Sequence, residues 1–272
     1  MKKESKGLKM YFDFNIAKAF AEREQTEKHF AVARIIENIL IDESKNFNPP
    51  FYIAELGGGA HPDRYHKFFE ILLKEPKSHV DWVDVSPYML KLAREYLKPK
   101  EYQQREQIIT FIEKDILDYL SEISKEKIDF VILKYTLDHL DDMNKLFELL
   151  SLKLKKNGMV IATITNLSPK LKSISINARY FYKGEEFPEN ETRILKDGDS
   201  FTIKFFKEAG NPKKGFMKGA ETIKYYHSEK KMRELAEKYG FKIFIGNWKD
   251  YLSKDKYAGE NLDQDILILK KS

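Results

Sequence analysis

The sequence has no cysteine among its 272 residues. Disulfide bonds, thiol nucleophiles and zinc sites built on cysteine are therefore excluded, and the sequence predicts no other metal site. No apolar run is long enough to cross a bilayer, and the basic residues 1–9 lead into no apolar signal-peptide segment. We therefore expect a cytoplasmic protein with no membrane partner.

Neither sign of charge dominates the chain. It has 48 Lys and Arg against 43 Asp and Glu, a formal net charge of +5, and the two signs are interspersed. Such a pattern is typical of a solvated surface rather than of a nucleic-acid track. With 42% hydrophobic residues, a chain of this length can bury one good core. We expect one domain with an insertion.

Three of the 13 glycines are contiguous, in the stretch FYIAELGGGAHPD over Phe51–Asp63. The apolar run Phe51–Ala54 predicts a buried strand, and Gly57–Gly59 allow a tight turn that a ligand can approach closely. Pro62 and Asp63 suit the start of a helix, predicted over roughly residues 63–73. The stretch indicates a nucleotide-type site at the carboxyl edge of a sheet, although a purely structural turn is the alternative.

The residues around the three glycines exclude two common kinds of nucleotide site. A dinucleotide fingerprint fails because Pro62 occupies its last glycine position, and the Lys and Ser or Thr of a Walker motif are absent. What remains is E-x-G-x-G, formed by Glu55, Gly57 and Gly59 around Gly58. This resembles motif I of class I S-adenosylmethionine-dependent methyltransferases, with His61 at the family's third glycine position. The resemblance implies that these residues bind S-adenosylmethionine.

A second predicted strand, Val80–Val83, ends at Asp84. The following V-D-x-S-x-x-M-L pattern resembles the family's second motif, and Ser86 is predicted to N-cap a helix. A carboxylate at this strand end can accept hydrogen bonds from both ribose hydroxyls. The resemblance places Val85 and Met89 near the adenosine, with a core position as the alternative for Met89.

The third predicted strand, Ile108–Ile112, precedes Asp115 and Ile116. The resemblance implies that Asp115 accepts the adenine amino proton and that Ile116 packs on the ring. The alternative is that Asp115 only caps the following helix.

The fourth predicted strand, Ile128–Leu133, leads into a loop that begins at Lys134 and contains L-x-H-L, ending in His139-Leu140. The family places this loop where the transferred methyl group points. We assign Lys134 to the cofactor site and His139 to general base catalysis, because histidine titrates near neutral pH. A backbone hydrogen bond at a helix start is the alternative for His139.

Three further residues are candidates for the catalytic site. His227 is the second candidate base, although its position just before Ser228, the predicted N-cap of a helix, could explain it. Tyr226 and Tyr11 are possible helpers, Tyr11 because N-terminal segments of the family close over the cofactor.

The order of strands predicts a doubly wound, Rossmann-like α/β fold with a seven-stranded sheet. Met159–Ile164 would be its fifth strand, after a turn at Asn157-Gly158, and Phe241–Ile245 and Ile266–Leu269 would pair antiparallel at its end. We divide the single domain into an N-terminal helical cap (1–50), a cofactor-binding core (51–167), an inserted α+β substrate lid (168–222) and the C-terminal end of the core (223–272). One strand over Phe201–Phe206 and another running into Ile223–Tyr226 are expected to be antiparallel.

The resemblance implies an S-adenosylmethionine-dependent methyltransferase that releases S-adenosylhomocysteine. We expect O or N of a small molecule as the acceptor, because a long irregular insertion is usually functional. An RNA or protein methyltransferase and a non-catalytic cofactor-binding protein are the alternatives. Lysines around residues 170 and 213 keep nucleic acid open, but the D/N-P-P-Y signature of base methylation is absent.

Overall fold

The computed structural model describes residues 13–23, 27–99, 102–164, 168–175, 178–208, 211–251 and 265–272. Its helices are α1 (Phe14–Arg23), α2 (Glu27–Ser44), α3 (His66–Lys74), α4 (Pro87–Tyr96), α5 (Ile116–Glu122), α6 (Met143–Lys153), α7 (Glu229–Lys238) and α8 (Trp248–Tyr251). Its strands are β1 (Tyr52–Leu56), β2 (His79–Asp84), β3 (Ile109–Glu113), β4 (Ile128–Leu133), β5 (Leu154–Ile164), β6 (Lys170–Lys172), β7 (Ala178–Tyr182), β8 (Glu185–Glu186), β9 (Thr192–Ile194), β10 (Ser200–Phe206), β11 (Phe216–Tyr225), β12 (Phe241–Gly246) and β13 (Asp265–Lys271).

Seven of these strands form the central sheet, in the order β12-β13-β5-β4-β1-β2-β3. Strands β1 to β5 run parallel to one another, whereas β13 runs antiparallel to both β5 and β12. All six residues of β4 are buried, as expected for a central strand covered by helices on both faces. The predicted Rossmann-like fold with antiparallel last strands is confirmed.

Alternating side chains of the sheet belong to two hydrophobic clusters, one on each face. Ile53 of β1 packs with α2 and α3, while Ala54 and Leu56 pack with α5, α6 and α7. The strand therefore points one set of side chains to each layer. The glycine turn that follows β1 is fixed at the edge between these two layers.

Two local predictions differ from the structure. Residues Pro62–Arg64 form a short 3-10 turn, and the helix begins at His66 rather than near Asp63. Tyr65 interrupts the helix because its buried ring packs on Trp82 and its hydroxyl bonds Glu55. The turn at Asn157-Gly158 is a bulge within β5, because the strand begins at Leu154 and its register with β4 shifts there.

The chain between β5 and α7 builds a second sheet, in the order β11-β10-β7-β8, and a separate β6-β9 pair. Its two longest strands, β10 and β11, are antiparallel, as predicted. Ser228 caps α7 through its side chain, also as predicted. In the described part of the chain, no helix has the length and apolar character needed to cross a bilayer.

Candidate active site

The glycine turn lies where the strand order reverses, between β1 and its neighbours β4 and β2. The amides of Gly57 and Gly58 donate to the Val83 carbonyl of β2, at 2.8 and 3.0 Å. A Cβ on Gly58 would lie 2.4 Å from Nε1 of Trp82, whose indole donates to the Gly59 carbonyl at 2.9 Å. The turn therefore follows β2 closely, at the crevice where open α/β sheets bind ligands.

Asp84 holds the same turn from the end of β2. Its Oδ2 accepts from the Gly59 amide at 2.9 Å and its Oδ1 accepts from the Ser86 amide at 2.8 Å. A carboxylate has about four lone-pair positions, and accepting from both hydroxyls of a diol is the role predicted for Asp84. A Cβ built on Gly59, which has φ +63°, would meet no described atom within 4 Å. This open, acceptor-bearing edge fits the diol and sugar of an adenosine-type ligand.

Glu55 is fully buried beneath the turn. Its Oε1 accepts from the Tyr65 hydroxyl at 3.2 Å, while Oε2 has no hydrogen-bond partner in the described chain. Burial raises the pKa of Glu55 to about 7, against the opposing influence of buried Lys134 and of the Tyr65 hydrogen bond. The Lys134 ammonium lies 5.5 Å from the Tyr65 ring centre. Both predicted cofactor residues thus belong to one buried network on the α3 side of β1.

The other predicted cofactor residues occupy the neighbouring strand ends. Asp115 caps α5 by accepting from the Leu117 and Asp118 amides, at 2.8 and 3.4 Å, and Ile116 is buried in the core. Val85 is half-buried, and Met89 is buried in a cluster with α1. The capping and core alternatives therefore describe these residues, and their cofactor contacts stay predictions.

A cavity of ≈ 470 Å³ lies between the inserted sheet and the loop after β4. Aliphatic side chains make up much of its wall, and its aromatic and polar lining residues include Asp138, Tyr180, Phe201, Lys224, Tyr226 and His227. Lys224 of β11 donates to Oδ2 of Asp138 at 3.0 Å, and both side chains are at most 15% exposed. Oδ1 of Asp138 makes no hydrogen bond within the described residues.

The two candidate histidines are held by backbone carbonyls. Nδ1–H of His139 donates to the Ile223 carbonyl at 3.0 Å, which leaves Nε2 as the acceptor of a neutral ring. Nε2–H of His227 donates to the Leu140 carbonyl at 2.8 Å, which leaves Nδ1. Burial, and then the nearby Lys224, lower the pKa of His139 to about 4. Burial also lowers the pKa of His227. Both rings are therefore neutral at pH 7.

Residues 64–237 match the sequence profile of a family described as methyltransferase domain. The chain belongs to this methyltransferase family. The assignment made from the motifs is confirmed, and with it the enzyme class and S-adenosylmethionine as the methyl donor. No functionally curated protein matches the chain.

Solved structures similar to this methyltransferase share its fold. The CcbJ methyltransferase from Streptomyces caelestis has a TM-score of 0.61 at 12% identity, over 97% of this chain and 98% of its own. An S-adenosylmethionine-dependent methyltransferase from Clostridium acetobutylicum has a TM-score of 0.53 at 17% identity, over 94% and 98%. A protein from Pyrococcus horikoshii has a TM-score of 0.54 at 16% identity, over 92% and 94%.

The structure brings together some predicted catalytic residues of the methyltransferase. Tyr226 and His227 line the cavity, while the ring of His139 is tied to the backbone of β11 beside it. Tyr11 lies outside the described residues. Sequence reasoning missed Asp138 and Lys224, which are 86 positions apart. Their opposite charges were the only signal, and a chain with many charges gives many such pairs.

Proposed function

We propose that the enzyme methylates O or N of a small molecule that binds in the cavity beneath the inserted sheet. The cavity itself carries this proposal: ≈ 470 Å³ falls within the range of about 300–1,000 Å³ for small-molecule sites. Its aromatic wall, formed by Tyr180, Phe201 and Tyr226, suits an apolar or ring-bearing molecule. Oδ1 of Asp138 is available to accept a hydrogen bond from the hydroxyl or amine to be methylated.

The cofactor would lie along the ends of β1, β2 and β3. Bound S-adenosylmethionine supplies a methyl group on a sulfonium leaving group, so the protein mainly has to align the acceptor with that methyl. Gly57, Gly58 and Gly59 let the backbone approach the ligand, and Asp84 accepts from the ribose. Glu55, Val85, Met89, Asp115, Ile116 and Lys134 complete the proposed cofactor set.

A proton must leave the acceptor when its O or N atom gains the methyl group. In our proposal one of the two neutral histidines accepts it, and His139 is the first candidate because its Nδ1–H is fixed on Ile223, leaving Nε2 as the basic atom. His227 is the second, because it lines the cavity together with Tyr226. If either histidine is the general base, replacing it by alanine should lower kcat by about 10²–10⁴-fold.

Residues 168–222 would form the lid of this site. The strands β7 and β10 contribute Tyr180 and Phe201 to the cavity, and Lys224, just beyond the segment, ties it to Asp138 of the core. In the proposed division, residues 1–50 are the cap, 51–167 the cofactor-binding core and 223–272 the end of the core. The cavity then lies between lid and core, where a substrate could enter when the lid opens.

Radiolabelled S-adenosylmethionine, with tritium in its methyl group, tests the proposal. The enzyme is incubated with three fractions of a cell extract. These are the small molecules, whose size suits a cavity of at most about 1,000 Å³, the total RNA and the total protein. Labelling of a small molecule is expected. Exclusive labelling of RNA or protein would contradict the proposal and favour those alternative acceptors, and no transfer to any fraction would favour a cofactor-binding protein without catalysis.

The labelled acceptor then allows a test of the cavity. Asp138→Asn should lower kcat/KM by roughly 10–100-fold, which corresponds to the 1.5–3 kcal/mol of a hydrogen bond to a charged group. Asp141→Asn, in the same loop but exposed, is the matched control and should retain activity. Equal activity of both variants would remove Asp138 from the acceptor site.

A further inference from the structure

His61 occupies the position at which the family pattern has its third glycine, and it is almost completely buried, with 1% of its surface exposed. Its ring packs on Tyr96 of α4, with centroids 4.5 Å apart. Nε2 lies 2.8 Å from the carbonyl oxygen of Ala21 in α1, and Nδ1 lies 3.4 Å from Oδ1 of Asp63. A residue of the cofactor turn thus contacts three separate elements through one side chain.

The helix that His61 reaches, α1, lies over the glycine turn. Ala17, Phe20 and Ala21 of this helix are buried in one cluster with Ala60 of the turn and Met89 of α4. The same cluster contains Phe205 and Ala220 of the inserted sheet. The helix therefore joins three parts that surround the site: the turn, the helix after β2 and the lid.

The bond from His61 goes to a backbone group of α1. Because the bond is to the Ala21 carbonyl, it does not depend on the side chain at position 21, which is only a methyl group.

We propose that His61 is a positioning residue that fastens α1, at Ala21, to the cofactor turn, so that α1 closes the edge on which the cofactor binds. A glycine at this position could shape the turn but could not donate to α1. With histidine in place of the family's glycine, the turn loses the conformational freedom of a glycine and gains a hydrogen bond to α1. The effect on cofactor affinity rests on the proposed cofactor site, whereas the effect on α1 does not.

Two variants of similar volume separate the hydrogen bond from the packing. His61→Met keeps the buried bulk but has no donor, and His61→Gln keeps a side-chain N–H that can reach the Ala21 carbonyl. Hydrogen–deuterium exchange is measured for residues 14–23 and, as an internal reference, for the buried strand β4. For His61→Met we expect about tenfold faster exchange in α1, the effect of losing one buried hydrogen bond, with β4 unchanged.

Affinity for S-adenosylhomocysteine, measured by calorimetry on the same proteins, gives the second readout. It should weaken several-fold in His61→Met and recover in His61→Gln. His66→Ala, an exposed histidine of the same segment, should change neither readout.

Three results would overturn the proposal. Unchanged exchange in α1 of His61→Met would remove the fastening role. Faster exchange throughout the chain, without recovery in His61→Gln, would reduce His61 to a residue of general stability. Local loosening of α1 with unchanged affinity would overturn the link to the cofactor edge, and if Asp84→Ala also left affinity unchanged, the fault would lie in the proposed cofactor site instead.

Discussion

The two sides of the proposed active site are built in different ways. On the cofactor side, the glycine turn after β1 takes part only through its own backbone groups: the Gly57 and Gly58 amides donate to the Val83 carbonyl, and the Gly59 amide donates to the Asp84 carboxylate, 25 positions away. On the lid side, side chains at the end of β11 and just after it donate the hydrogen bonds to the loop after β4. Lys224 bonds Asp138, and His227 bonds Leu140, across 86 and 87 positions.

Because of this difference, we expect the lid side to tolerate substitutions that the cofactor turn does not. A side chain can be replaced without disturbing the path of the main chain, whereas a backbone contact needs the right conformation at every residue of the turn. In the proposed site, the lid side could therefore vary to suit another acceptor while the cofactor turn stays intact. The comparison predicts that substitutions in the turn affect stability and cofactor affinity, and that substitutions in the lid affect acceptor turnover.

The largest effect should come from Gly58→Ala. Its Cβ would lie 2.4–2.8 Å from three atoms of the buried Trp82 indole, which cannot move without losing its bond to Gly59. We expect a loss of about 3 kcal/mol in the free energy of unfolding, from overpacking together with that bond. Urea denaturation measures it.

Gly59→Ala is the matched control in the same turn. Its φ of +63° strains an alanine by about 1–2 kcal/mol, but no described atom lies within 4 Å of the new Cβ. A smaller loss than in Gly58→Ala is therefore expected. Equal losses in the two variants would mean that contact with Trp82 does not determine the turn.

The sequence could predict the cofactor side because its signals are local. The strand run, three glycines and Asp84 at the end of the next strand each follow from neighbouring residues, and parallel pairing brings them together. The N-caps at Ser86 and Ser228 are equally local and are confirmed. The helix start at His66 was missed because it depends on where Tyr65 is buried, which is a tertiary contact.

The lid side could be predicted only in outline. Two antiparallel strands followed from their β-forming residues, but the pairing of Lys224 with Asp138 needs the register of β11 against the loop after β4. The same holds for His61: its departure from the glycine pattern was visible, yet its contact with Ala21 depends on how α1 packs. Residues distant in sequence meet through the whole fold, and no local pattern encodes that meeting.

Asp84→Ala should have the next largest effect, on cofactor affinity rather than on the lid. It removes a charged acceptor from the ligand and from the Gly59 and Ser86 amides. S-Adenosylhomocysteine should bind more weakly by roughly 1.5–3 kcal/mol in calorimetry. Asp84→Asn, which keeps one oxygen, should lose less. Unchanged affinity in a folded Asp84→Ala variant would remove this residue from the cofactor site.

The smallest effect concerns pH and the join between loop and lid. The pKa of His139 in the folded protein is about 4, below its value of about 6.5 in the unfolded chain. Between these values the unfolded chain binds more protons, so stability is complete above pH 6.5 and falls as the pH falls. About 1 kcal/mol should be lost between pH 7 and pH 5.5, and His227, whose pKa is also lowered, acts in the same direction.

Urea denaturation across this pH range, in the wild type and two variants, isolates the contribution of His139. His139→Gln removes the titrating group and should flatten the dependence. Lys224→Met should flatten it less, because burial is the main cause of the low pKa and Lys224 the second. If His139→Gln keeps the wild-type slope, then another group senses the pH. The neutral ring on Ile223 would then have no measurable part in holding the loop to the lid.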